Sequence, residues 1–411
     1  MPSVGPPQRR PVSRPSQAAA VLAVALLVLA IGGVVFGLAG RSGPDATISP
    51  SPSIPGPGVS PSFGGPVGTG YLTSADELKR RAEMGRRGQE PQATAMKDLL
   101  AEADAALVRE PQPRNPLTWR QNGRFLPDTQ DAYTLALAWV VSNDERYARR
   151  AAEFITAWVS GVDQTSDTCT DRGGSDCATS LLVSRAAPGF VFAADLLHGS
   201  GALSVDDESR LKSWLTRLIL PAASERTNNW GDAGNFMRLA VAAYIGDGAE
   251  FNAAIDGWRA GMDMVTSEGQ IPEETRRGSL GLLYTQGAIS FKVGAAAIAE
   301  RRGINLWDYH GKNGGTLRLA VDTLARYWVN PKSWPWHKGH LEIPNVDPAW
   351  ELIYHRWPDP AFARIFGPAR PLGPANTSAI IWTTLTRGEP LQGSASMELV
   401  LSNDATIRRN L

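Results

Sequence analysis

The sequence predicts an all-α protein: an incomplete α/α toroid of antiparallel helical hairpins, preceded by one N-terminal transmembrane helix and a disordered linker. Three observations lead there. Apolar residues recur at helical spacing through most of residues 71–370. Two stretches, "TLALAWVVSNDERYARRAAEFITAW" and "NFMRLAVAAYIGDGAEFNAAIDGW", repeat one pattern: apolar helix, Asp-containing turn, aromatic, then a helix ending in Trp. Residues 18–40 form an unbroken apolar run.

From the N-terminus, residues 1–17 carry Arg9, Arg10 and Arg14 and read as a cytoplasmic segment. Ala18 to Gly40 follows, 23 residues without a charge, enough to cross a hydrocarbon core of ~30 Å as a helix. The preceding arginines place the N-terminus inside and everything after the helix outside. The run is longer than the roughly 7–15-residue apolar region of a cleaved signal peptide, and no small-x-small cleavage site follows. A signal anchor is therefore expected, with a secreted protein as the alternative. Residues 41–70, "RSGPDATISPSPSIPGPGVSPSFGGPVGTG", form a Pro/Ser/Gly tether too poor in apolar side chains to pack.

Residues 71–370 read as helix after helix. Ala132, Leu135, Ala136, Trp139 and Val140 make one stripe; Tyr147, Ala148, Ala151, Ala152, Ile155 and Val159 make the next. The longest runs from Leu280 through Leu283, Tyr284, Gly287, Ala288, Phe291 and Ala295 to Ile298, and closes on Arg301, Arg302 and a capping Gly303. Paired antiparallel helices over such a length close on themselves as a toroid. In the C-terminal segment, 371–411, "SAIIWTTLT" and "SMELVLS" read as strands.

Lys+Arg and Asp+Glu both number 41, so the net charge is zero and nothing points to nucleic acid. Cys169 and Cys177 flank "TDRGGSD", and outside the cell they are expected to form a disulfide. No phosphate-binding Gly loop, HExxH, CxxC or G-x-S-x-G elbow is present. What remains are "ERTNNWGDAGNF", with three asparagines, and "EGQIPEETRRGSLGLLY". In the latter, Arg277 and Tyr284 are seven apart and share a face if one helix spans both.

An arginine, a tyrosine and amides suit β-elimination on a uronic acid. The proton on the carbon bearing the carboxylate becomes acidic once Arg or Asn hydrogen-bonds and neutralises that carboxylate. Tyr then protonates the leaving oxygen, and a guanidinium beside it is expected to lower its pKa so that it also serves as base.

Over residues 120–330 the chain resembles the alginate lyase superfamily of α/α-toroid polysaccharide lyases. The resemblance is carried by "DTQDAYTLALAWVVSNDERYARRAAEFITAW", "NNWGDAGNFMRLAVAAYIGD" and "GQIPEETRRGSLGLLY". It implies a carboxylate-neutralising Asn229, an assisting Arg277 and an acid/base Tyr284, acting on an acidic, alginate-like polysaccharide with no cofactor and no metal. The usual Asn-Asn-His of such enzymes reads Asn-Asn-Trp here, so Trp230 stands where a base is expected. A second alignment selects Asn235 of "GNF". "WPWHKGHLEIP" offers His337 and His340 in compensation, with Trp336 beside them; Asn228, Asn235, Trp230, His337, His340 and Trp336 are the expected substrate contacts. The bland readings differ: Asn228 and Asn229 as helix caps, Tyr284 as core packing, Glu273 and Glu274 as first-turn acids. Two alternatives keep the fold: a non-catalytic glycan-binding scaffold, and an inverting glycoside hydrolase using Glu273 or Glu274.

Overall fold

The computed structural model describes residues 70–168 and 177–392. The expected anchor, nearly all of the tether, Cys169 and "SMELVLS" lie outside the described residues. The helices are α1 (Ala75–Arg86), α2 (Gln92–Ala106), α3 (Asn122–Ser142), α4 (Glu145–Gly161), α5 (Ala178–Ala186), α6 (Pro188–Leu197), α7 (Val205–Trp214) and α8 (Asn229–Ile245). After them come α9 (Gly248–Asp263), α10 (Pro272–Thr275), α11 (Gly281–Glu300), α12 (Leu317–Val329), α13 (Ala349–Arg356), α14 (Pro360–Phe366) and α15 (Thr383–Arg387). Beta pairing among the described residues is limited to isolated bridges.

Both expected hairpins form, and their turns use the residues the sequence set there. Asn143 ends α3 in the left-handed region (φ 59°), and the Asp144 side chain caps α4 by accepting from the Arg146 N–H. Gly246 (φ 82°) ends α8, and Asp247 caps α9 through the Glu250 N–H. Each cap contributes about 1 kcal/mol.

Four helices face one another through a row of rings. Tyr133 of α3 meets Phe192 of α6 at 5.4 Å, Phe192 meets Phe236 of α8 at 6.1 Å, and Phe236 meets Phe291 of α11 at 6.0 Å. Such tilted pairs add about 0.5–1.5 kcal/mol each beyond their buried area. The second helix of each hairpin packs outside this row and is tied to it by indole N–H groups. Trp158 of α4 donates to Asp128 of α3 at 2.7 Å, and Trp258 of α9 donates to the Lys292 carbonyl of α11 at 3.0 Å. Inner and outer helices in alternation give the incomplete α/α toroid.

The C-terminal segment departs from expectation. "SAIIWTTLT" contains no strand: residues 378–382 are irregular and lead into α15. Its β-branched residues serve burial instead, since Ile380, Ile381 and Leu385 are enclosed by the helices. Side chains and helix carbonyls take the place of a partner strand. Gln130 donates to the carbonyls of Ala375 and Ser378, both at 2.7 Å, Ala379 N–H donates to the Arg185 carbonyl at 2.9 Å, and the Trp382 indole donates to Thr134 at 2.8 Å.

Candidate active site

The site forms where the N-terminal ends of α8 and α11 meet. α8 begins at Asn229 because Asn228 caps it, its side-chain oxygen accepting from the Trp230 N–H at 3.0 Å. A methyl built on Gly287 would lie 3.8 Å from Asn229 Nδ2. One turn along, Asp232 pairs with Lys292 at 2.6 Å, so α8 and α11 run parallel.

Arg277 and Tyr284 do not share a helix. α10 stops at Thr275, Gly278 takes a φ of 63° that favours glycine, and α11 starts only at Gly281. The pair meets across this break instead: the Arg277 guanidinium carbon stands 4.9 Å from the Tyr284 ring centroid. Arg277 Nε donates to the Glu273 carbonyl at 3.2 Å and faces Glu274 Oε2 at 3.9 Å. Glu274 in turn accepts from the Asn229 N–H at 2.6 Å, joining all three sequence-predicted residues in one cluster.

Three groups in this cluster are left open. Among the described residues, the Tyr284 hydroxyl, the terminal nitrogens of Arg277 and Asn229 Nδ2 find no hydrogen-bond partner, and none is among the fully buried atoms lacking one. They therefore reach solvent, although Tyr284 as a residue is only 7% exposed and Asn229 is also 7% exposed. Tyr284 was equally readable as core packing; it is buried, but it lies outside the contiguous apolar cluster.

The expected lowering of the Tyr284 pKa does not occur. Burial raises it, the nearby Glu274 and Glu342 carboxylates raise it further, and the Arg277 guanidinium offsets only part of this. The resting phenol is protonated and is a proton donor.

Glu274 is the residue sequence reasoning undervalued. It is fully buried, and burial lifts its carboxyl to about 7 against the downward pull of the Asn229 N–H and Arg277. The folded protein holds this proton up to about pH 7, whereas the unfolded chain releases it near 4.5. Stability from this group is thus greatest below 4.5 and declines as pH rises to about 7. Glu274→Gln keeps an acceptor for Asn229 and removes the titration. Urea unfolding on either side of that window is expected to show a flatter pH dependence than the parent and a more stable variant at the alkaline end.

The alginate lyase family model matches residues 87–334. The chain belongs to the alginate lyase family. It is a polysaccharide lyase. A search of the curated proteins found no match. Among solved structures, an alginate lyase from Bacteroides ovatus is 18% identical with a TM-score of 0.60, covering 77% of this chain and 99% of its own. Alginate lyase A1-III from Sphingomonas species A1 is 17% identical with a TM-score of 0.60, covering 79% of this chain and 98% of its own. A tetrasaccharide complex of an alginate lyase A1-III variant is 16% identical with a TM-score of 0.62, covering 80% and 98%. These likenesses are to the fold.

Other expected contacts of this family member scatter. Asn235 turns away from Tyr284: its amide lies against α9, where a methyl on Gly257 would come within 2.5 Å of Oδ1. With Asn228 it lines a separate cavity of about 250 Å³. Trp230 is buried under the Arg226 guanidinium at 4.1 Å, not presented to the site. Arg226 also donates to the sulfur of the buried Cys177 at 3.2 Å.

The loop bearing "WPWHKGH" does reach the rim. A methyl on Gly281 would come within 2.8 Å of Trp334, and one on Gly278 would lie 3.7 Å from His337 Nδ1. Trp336, half-buried, packs edge-on against Trp334 at 4.8 Å and Tyr327 at 5.4 Å. His340 is exposed, with no site contact. Glu273 is partly exposed but engaged by Arg276, and Glu274 is sealed from solvent, so no pair of free carboxylates faces a cleft as a two-carboxylate hydrolase needs.

Proposed function

We propose that this lyase cleaves a uronate-containing, alginate-like polysaccharide by β-elimination. The observation that carries the reading is the convergence of three unengaged groups, Asn229 Nδ2, the Arg277 guanidinium and the Tyr284 hydroxyl, at one rim. Asn229 and Arg277 bind the carboxylate and stabilise the charge that develops on it when the neighbouring proton leaves. Tyr284, protonated at rest, donates to the departing glycosidic oxygen. His337, beside Gly278, takes the place of the base that Trp230 cannot supply, because an indole N–H has no lone pair to accept a proton. Trp336 offers a ring face for the polymer.

The reading extends to location. The charge-free run Ala18–Gly40 after three arginines anchors the chain with its enzymatic domain outside, and residues 41–70 tether it. An exterior setting suits a Cys169–Cys177 disulfide.

The test incubates the full chain in detergent with uronate polymers and with neutral glycans. Ultraviolet absorbance from a new carbon–carbon double bond is expected with the uronates alone. Reducing ends appearing without that absorbance would mean hydrolysis and would reject the proposal.

A further inference from the structure

The ring row fixes a common level on three inner helices. Seven residues before Phe192, Phe236 and Phe291 stand Arg185, Asn229 and Tyr284. Seven residues are nearly two turns, about 10.5 Å of rise, and return to the same helix face. α5 passes into α6 through Ala187 with helical backbone (φ −54°, ψ −32°), but Pro188 interrupts the hydrogen-bond ladder and the Phe190 N–H donates to the Ala187 carbonyl at 3.1 Å, so for Arg185 the count gives the level along the helices and not the face. Arg185 therefore projects at the height of Asn229 and Tyr284, from a neighbouring wall of the same toroid end.

Its surroundings are unusual for a half-buried arginine. Arg109, Arg238, Arg301 and Arg370 each meet a carboxylate. Arg185 meets none among the described residues. Its guanidinium donates to the Asn122 side-chain oxygen, to the Thr377 carbonyl at 3.3 Å and to the Asn376 carbonyl at 3.5 Å, and lies over the Trp119 ring at 5.4 Å. Nε is buried without an acceptor. All these partners are neutral. Burial brings its pKa down to about 10, which still leaves it charged at neutral pH. An enclosed cation without a counter-ion is costly, and a ligand's anionic group relieves that cost.

We propose that Arg185, oriented by Asn122 and Trp119, is a second carboxylate-binding position of this cleft, taking the acid group of a uronate adjacent to the ring cleaved at Tyr284. The proposal rests on the uronate reading above. It makes the enzyme a reader of consecutive acidic rings and places Arg185 in substrate binding, not in proton transfer.

Calorimetric binding to the Tyr284→Phe protein, which does not consume ligand, tests it. The probes are a defined tetra-uronate and the same oligosaccharide with its carboxyl groups reduced to alcohols. Adding Arg185→Met is expected to weaken the tetra-uronate by roughly ten- to a hundredfold, the loss of hydrogen bonds to a charged group, and to leave the reduced oligosaccharide unaffected. Asn122→Asp, which supplies Arg185 with an internal carboxylate and leaves the guanidinium in place, is expected to give the same selective loss and covers the case of a misfolded Arg185 variant. Tetra-uronate binding unchanged by either substitution overturns the second position alone. Equal loss for both oligosaccharides assigns Arg185 a structural role and also overturns it. Absence of tetra-uronate binding before either substitution overturns the uronate reading with it.

Discussion

Tyr284→Phe is expected to lower kcat for uronate cleavage by roughly two to four orders of magnitude, the range for loss of a positioned general acid. Binding of the same polymer should stay within a fewfold. The asymmetry follows from what the hydroxyl does in the resting protein. Among the described residues it has no hydrogen-bond partner, so its removal leaves no buried group unsatisfied and is not expected to disturb the fold. The ring remains, and with it the Arg277 contact at 4.9 Å, so the side of the site proposed to bind the carboxylate is kept. Only the proton that Tyr284 is proposed to offer the leaving oxygen is lost. Steady-state kinetics on a uronate polymer, with binding measured in parallel, separates the two effects. Full activity in the variant would remove Tyr284 from the mechanism and assign it to packing.

Lys292→Met should cost about 3–5 kcal/mol of stability, the range for breaking a buried ion pair. Lys292 and Asp232 are 1% and 6% exposed and meet at 2.6 Å. Burial already raises the Asp232 carboxyl, and Lys292 is the group that opposes the rise. Without it the carboxylate is left enclosed and unpaired. The double variant Asp232→Leu with Lys292→Met should recover most of the loss, because the expense lies in the uncompensated charge more than in the missing pair. Urea unfolding measures both variants. The pair also bears on catalysis: it sits one turn beyond Asn229 and sets the spacing of α8 and α11, hence of Asn229 and Tyr284. The double variant is therefore expected to fold well yet lose activity. A single variant as stable as the parent would show that the pair does not hold these helices together.

The hairpins were legible because their signals are local. Asn143-Asp144 and Gly246-Asp247 each combine a left-handed closing residue with a side-chain cap, and both turns act as read. Asn229, Arg277 and Tyr284 were legible as residue types, but their meeting was not: the expected single helix is interrupted at Gly278, and a cation–ring contact joins Arg277 to Tyr284 instead. Asn235 could have been set aside from the sequence, since six residues along a helix turn it well away from Asn229. Burial, which the sequence does not reveal, outweighs the guanidinium in setting the Tyr284 pKa. Glu274, Asp232 and Lys292 are far apart in the chain, and only their packing reveals them as one support beneath the site. "SAIIWTTLT" has strand-forming residues, yet the helical core offers apolar grooves and helix carbonyls in place of a neighbouring strand.

If Asn229, Arg277 and Tyr284 act together in an elimination, the masses of the fragments released from one defined oligouronate will show it. Two fragments are expected whose masses sum to that of the parent, one of them unsaturated. Fragments summing to the parent plus one water, or no cleavage of any uronate, would contradict it.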